Sequence, residues 1–223
     1  MKIVINSHTK SNIALQHLLE SLKESDINYC DIIVVIGGYY NLSNYEITKN
    51  ENENITYIRA NHNSIDFTGL IALLELYKNN TNEYYVYLHD TCKIGKNFYN
   101  KIKSLDLTNV TSIRINKPFS MNIGIYSQLI INNFETFLLS KKNTNEDLCM
   151  KYKTENIYYE DYIFKHDKNN IILENYNSQN HKNYSGPIDY YKTGTMRYIE
   201  YYPNLDLYKM KANWGRGNVT LNL

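Results

Sequence analysis

The amino-acid sequence predicts a mostly parallel, three-layer α/β domain, and three observations carry that prediction. β-Rich runs alternate with segments of helical periodicity along the N-terminal half. Ile32–Ile36 is an unbroken β-branched run ending on Gly37-Gly38, the pattern of a strand buried on both faces and followed by a permissive turn. Polar residues gather directly after the strands, at Ser7-His8-Thr9, Gly38-Tyr39, Asn61–Asp66 and His89-Asp90-Thr91-Cys92. In open α/β sheets the carboxyl ends of the strands are where ligands bind.

In chain order, Lys2–Asn6 reads as a first strand, and Ile13, Leu15, Leu18, Leu19 and Leu22 recur at the spacing of an amphipathic helix. Ile32–Ile36 and Ile55–Arg59 repeat the strand signal. Asp66–Tyr77 carries Leu70, Leu73, Leu74 and Tyr77 at helical spacing, Tyr84–Leu88 reads as a strand, and Phe98–Ile102 opens a helix. The second half predicts strands at Ser112–Ile115 and Asn122–Ser127, a helix over Leu129–Leu139 and a tyrosine-rich stretch through Tyr158–Phe164. Asn175–Ser185 reads as a loop, and the aromatic tail Tyr198–Trp214 is expected to pack back onto the domain.

With 223 residues and no internal repeat or linker, one domain over 1–223 is the expectation. Lys and Arg total 24 against 23 for Asp and Glu, so a net charge of +1 supplies no long-range field for nucleic acid or an anionic membrane. The longest apolar runs, such as Ile32–Ile36 and Ile123–Tyr126, fall far short of the roughly 20 residues of a membrane-spanning helix. The N-terminus turns polar after Ile5, without a signal-peptide core, and a cytoplasmic location follows as an expectation. Cys30, Cys92 and Cys149 are odd in number and far apart, which suits reduced thiols. Walker loop, dinucleotide glycine fingerprint and nucleophile elbow are all missing, which weakens kinase, dehydrogenase and hydrolase readings.

Asp90 leaves the strand Tyr84–Leu88 at its rim, where a carboxylate suits a hard divalent cation that keeps waters and phosphates in its shell. The competing role is a side-chain cap on the next turn, and position alone leaves the two even. Glu160-Asp161 is a second constellation, readable as a proton acceptor or as a solvated helix start before Tyr162. Lys209, Lys211 and Arg216 flank Trp214, the only tryptophan, and could hold an anion or simply surround a packing anchor.

The segment Tyr87–Gly95, preceded by Asn63–Gly69, resembles the strand and acidic motif of GT-A glycosyltransferases, including viral members of the chlorella virus type. The resemblance implies a GT-A fold, with residues 1–110 as a nucleotide-sugar-binding half and 111–223 as an acceptor half closed by a C-terminal lid. It implies transfer of a hexose from a UDP-sugar to a hydroxyl of a glycan or glycoprotein, dependent on Mn²⁺ or Mg²⁺. Carried onto this chain, it puts Ser7, His8, Thr9, Gly38 and Tyr39 in the nucleoside pocket, with Tyr39 placed to stack on the base. Asp66 falls where the family contacts ribose or sugar, doubling as a helix cap, and Asn63 and His89 are expected beside it as donor-binding residues. Asp161, with Glu160, falls near the family's base, and Lys211 and Trp214 fall in the closing segment. Asp90 and Cys92 occupy the metal motif, and the neutral thiol of Cys92 where a second carboxylate belongs departs from the pattern. That departure supports a rival, a non-catalytic glycan- or partner-binding protein. A nucleotidyltransferase, the rival among enzymes, needs a glycine-rich basic loop that Ser7-His8-Thr9-Lys10 does not supply.

Overall fold

The computed structural model describes residues 1–25, 31–115, 122–173 and 196–212. Its elements in chain order are β1 (Lys2–His8), α1 (Asn12–Glu24), β2 (Ile32–Gly37), β3 (Glu46–Asn50), β4 (Ile55–Ala60), α2 (Thr68–Tyr77), β5 (Tyr84–His89), β6 (Cys92–Ile94), α3 (Phe98–Lys103) and β7 (Ser112–Arg114). They continue with β8 (Gly124–Ser127), α4 (Gln128–Asn133), α5 (Glu135–Ser140), α6 (Cys149–Asn156), α7 (Tyr162–His166), β9 (Asn170–Ile172), β10 (Met196–Tyr202) and β11 (Leu207–Ala212). The cysteine at 30, the loop read over 175–185, Trp214 and Arg216 lie outside the described residues.

The chain forms two compact units, and each draws on three separate segments. One comprises Met1–Thr9, Cys30–His89 and Asp106–Ile172, the other Lys10–Tyr29, Asp90–Leu105 and Leu173–Leu223. The first is a mixed α/β unit around a large, mostly parallel central sheet of order β3-β4-β2-β1-β5-β8-β7-β9. Strands β4, β2, β1 and β5 run parallel, with Ile3 opposite Ile32 and Val86, and Ile32 opposite Ile55. β8 runs antiparallel to both β5 and β7, and β9 is parallel to β7.

Strands β1, β2 and β5 are buried along nearly their whole length, which explains their apolar runs. β3 is the opposite case. It is an exposed antiparallel edge carrying Glu46 and Lys49, charges that discourage further strand pairing. Helix α2 buries every residue from Thr68 to Leu74, because the sheet covers one side and α4 and α5 pack beside it. Tyr85, Tyr87 and Tyr126 are the largest fully buried side chains of this core, and Tyr126 stacks on Phe164 at 4.6 Å. Gly124 makes room for that stack, since a Cβ there would lie 2.4 Å from the Ile113 carbonyl and 2.5 Å from Phe164.

The second unit holds α1, α3 and an antiparallel sheet of order β10-β11-β6. The β10–β11 turn carries Asp206 at φ +50°, with its carboxylate accepting from the Asn97 amide at 2.9 Å and the Tyr201 hydroxyl at 2.9 Å. Gly95 accommodates it, because a Cβ would sit 2.2 Å from the Asp206 carboxylate.

Several elements differ from the sequence expectation. The helix expected from Asp66 starts at Thr68, behind a 3-10 turn over Ile65–Phe67. The helix expected over 129–139 breaks at Phe134 into α4 and α5. β3 and β6 are strands where none is expected. Among the described residues no helix is long and apolar enough to cross a membrane.

Candidate functional site

In the first unit the chain steps outward from β1 to β2 and β4, then crosses back to β5 on the other side of β1. This reversal is a topological switch point between β1 and β5, and the carboxyl ends of strands at such a point are where open α/β sheets bind ligands. Asn6 pairs with His89 there, and Ser7 and His8 pair with Ile36 and Gly37.

Asn6 is a polar residue inside an apolar strand, and its carboxamide ties β1 to the loop after β4. Its Nδ2 donates to the Ile65 carbonyl at 3.0 Å, and its Oδ1 accepts from the Gly69 amide at 2.8 Å. Ile65 has φ +51°, a left-handed conformation that β-branched residues rarely adopt. Several backbone groups around it have partners. The Ile65 amide donates to Asn63 Oδ1 at 3.0 Å, the Ser64 amide to Thr68 Oγ1 at 2.9 Å, and the Asn63 amide to the Asn143 carbonyl at 3.0 Å. The Asp66 carbonyl accepts twice, from the Tyr87 hydroxyl at 2.9 Å and from Asn122 Nδ2 at 2.8 Å.

This backbone turns the Asp66 side chain toward β5, where one carboxylate oxygen lies 3.4 Å from His89 Nδ1. His89 is 7% exposed and Asp66 21%, so the carboxylate is the part of the pair that solvent or a ligand reaches. Burial, with the Asp66 carboxylate adding to it, pushes the Tyr87 phenol well above its ordinary range, so it remains a hydroxyl donor. Burial followed by Asp66 also raises the Tyr152 phenol of α6.

A second network holds the same loop from beneath. His62 and Ser64 are fully buried. His62 Nδ1 lies 2.9 Å from Ser64 Oγ and His62 Nε2 lies 3.0 Å from the Tyr45 hydroxyl, which donates to Glu75. A carboxylate only accepts, so the chain has one consistent direction: Tyr45 donates to Glu75, His62 Nε2–H donates to Tyr45, and Ser64 donates to His62 Nδ1. Ser64 Oγ also accepts from the Asn143 amide at 2.9 Å. That direction requires a neutral ring, and His62 is neutral because its pKa is lowered to about 4 by burial first and by Lys142 second.

Along the rim, Gly38 has φ +104° and its amide donates to the His62 carbonyl at 3.0 Å. A Cβ at Gly38 would meet Thr9 Oγ1 at 2.9 Å. Tyr39 lies half-buried with the Arg59 guanidinium 5.5 Å from its ring centre, so one neighbour of that ring is a cation. Ser7 is buried, His8 half-buried and Thr9 exposed.

Other residues singled out in the sequence fall elsewhere. Asp161 is buried with Oδ2 2.7 Å from Arg114 and Oδ1 2.8 Å from Lys165, so both oxygens hold cations and the geometry assigns it to tying α7 to β7. Glu160 precedes it, half-buried. In the second unit, Asp90 is buried in the turn before β6, and Cys92 is fully buried within β6, where its thiol serves the interior of that sheet. Lys209 is also buried, its ammonium donating to the Thr91 hydroxyl and to the Met210 carbonyl at 3.3 Å. Lys211 lies on β11, and its side chain is outside the description. Among the described residues no group of three or more His, Cys, Asp or Glu side chains is arranged to hold a metal ion.

No family model and no curated protein matches this chain. Among solved structures it is similar to TarS of S. aureus, with a TM-score of 0.47 and 13% identity over 78% of this chain and 35% of that one. A structure of TarS residues 1–349 gives a TM-score of 0.48 and 15% identity over 78% and 58%. The glycosyltransferase GlyE of Streptococcus pneumoniae TIGR4 gives 0.47 and 12% over 78% and 45%. The matched part thus spans less than two thirds of each of those chains.

Proposed function

We propose that this chain is a GT-A-type glycosyltransferase that moves a hexose from a UDP-sugar to a hydroxyl of a glycan or glycoprotein. The observation that carries the reading is the rim at the carboxyl ends of β1 and β5, where a strained, hydrogen-bonded loop presents the Asp66 carboxylate beside His89. A carboxylate accepts from two hydroxyls at once, which is the recognition a ribose or hexose diol calls for. Gly38 and Tyr39 at the end of β2 are the proposed nucleoside side of the site, and Asn63 holds the loop through Ile65 rather than reaching the donor itself.

Asp90, the residue after His89, is the carboxylate assigned to Mg²⁺ or Mn²⁺. One carboxylate fits such a cation only when the diphosphate and waters complete the shell, which ties metal binding to donor binding. A bound cation would neutralise the charge that gathers on the departing diphosphate.

Calorimetric titration of UDP, UDP-hexoses and GDP, with Mn²⁺ and with chelator, tests this. UDP is expected to bind at least about tenfold tighter with Mn²⁺, with the Asp90→Ala variant losing that difference, a loss of about 1.4 kcal/mol. Equal metal enhancement in Asp90→Ala would remove Asp90 from the metal site. A second reading, glycan or partner binding without catalysis, is favoured by the exposed stretch around α6, where Tyr158 is 84% exposed beside Ile157 and Met150. Failure of every nucleotide to bind with or without metal would replace the first reading with the second.

A further inference from the structure

Ile65 is held in a conformation that costs a β-branched residue free energy, and such strain persists only where the surroundings over-determine it. Four side chains meet the two carbonyls of this turn. Asn6 and Thr68 donate to the Ile65 carbonyl at 3.0 and 3.1 Å, and Tyr87 and Asn122 donate to that of Asp66 at 2.9 and 2.8 Å.

Asn6 and Thr68 also have other duties, Asn6 toward the Gly69 amide and Thr68 toward the Ser64 amide. The Tyr87 hydroxyl also meets the backbone amides of Leu70 and Gly69, at the start of the helix that follows the turn. The Tyr87 hydroxyl reaches Asp66 only because residue 69 is glycine: a Cβ there would lie 2.8 Å from both the Tyr87 ring and its oxygen. Asn122 is fully buried, and its Oδ1 has no hydrogen-bond partner among the described residues. Its Nδ2 holds the Asp66 carbonyl at 2.8 Å.

We propose that Tyr87 and Asn122 are positioning residues: their hydrogen bonds to the Asp66 carbonyl oppose the strain at Ile65 and fix the Asp66 carboxylate in its presented orientation before any ligand arrives. The inference rests on the donor-site reading only for what Asp66 touches. The loop is then a preset rim, and binding does not have to order it.

The test pairs a clamp variant with a strain variant. Tyr87→Phe removes one hydroxyl and keeps the buried ring, while Ile65→Asn replaces the strained residue by one that tolerates the left-handed region. Backbone hydrogen exchange over residues 62–69 is expected to quicken about tenfold in Tyr87→Phe. It is expected to slow again about fivefold when Ile65→Asn is added. Exchange in β7 and β8 serves as the control and stays as in the parent. UDP-hexose titration of the same proteins should follow the loop, weaker in Tyr87→Phe and recovered in the double variant.

Exchange in 62–69 that ignores Tyr87→Phe, or that rises equally in β7 and β8, would overturn the positioning role whatever the chain binds. A local exchange effect reversed by Ile65→Asn, in a protein that binds no nucleotide, would uphold the clamp and overturn the donor reading instead.

Discussion

At the scale of single residues, His62 shows how the fold places a titratable group without leaving it free to titrate. The ring has no exposed surface, and both nitrogens are engaged in the chain from Ser64 to Glu75. In the unfolded chain it takes a proton near its ordinary pKa of 6.5, whereas in the folded protein it resists until about 4. The unfolded state therefore binds more protons between those values, and stability falls as the pH drops through that window. The difference amounts to about 3 kcal/mol once fully lost. Urea midpoints measured at pH 7 and near pH 4.5 should drop more in the parent than in His62→Gln, and equal drops would mean that the ring is not the group responsible. Residue identity alone made Asp66 and Asp90 visible, since each is an acid at a strand end or helix start. The residues that orient Asp66 were not visible in the same way. Asn6 and Asn122 act on partners 59 and 56 positions away, and nothing local distinguishes them in a chain rich in asparagine. Asn6 left one trace, as the polar member of an otherwise apolar run.

Among the elements, the parallel strands were legible because both faces are buried and the code is simply apolar and β-branched. β3 was not, because an exposed edge strand spelled Glu-Ile-Thr-Lys-Asn has no face that must be apolar. β6 is three residues long, too short for any period to register. The helix over 129–139 has the right periodicity, yet Phe134 leaves it at φ −103°, and the second half restarts as α5. The ion pair of Asp161 was not legible at this level either, since its partner Arg114 lies on a strand 47 residues away. Glycine roles were only partly legible: Gly37-Gly38 announced a turn, but Gly124 gave no sign of its closeness to Ile113 and Phe164. Gly124→Ala should destabilise the β7–β8 pair and the Tyr126–Phe164 stack by about 2 kcal/mol, the usual scale of overpacking. A thermal midpoint lowered by about 4–8 °C would match that cost for a chain of this size. An unchanged midpoint would mean that the strand yields without loss.

For the whole molecule, near neutrality makes its own prediction. With a net charge of +1, no long-range field draws an anionic nucleotide in, so the rate of UDP-hexose association should change less than about threefold between about 20 and about 200 mM salt. A steep fall, measured by stopped-flow, would point to cations steering the ligand locally. The segmental construction has a consequence for synthesis. A ribosome delivers β1, α1 and β2 in turn, yet α1 belongs to a unit whose sheet is completed only by β10 and β11. The large sheet lacks its last strand until Ile172 has emerged, and β6 waits more than a hundred residues for Leu207 to pair with Ile94. The emerging polypeptide must therefore carry β6 without its strand partner through most of translation, with α1 as its early neighbour and its edge open to chaperones and proteases, and the second unit is completed only after the last strand of the first has emerged.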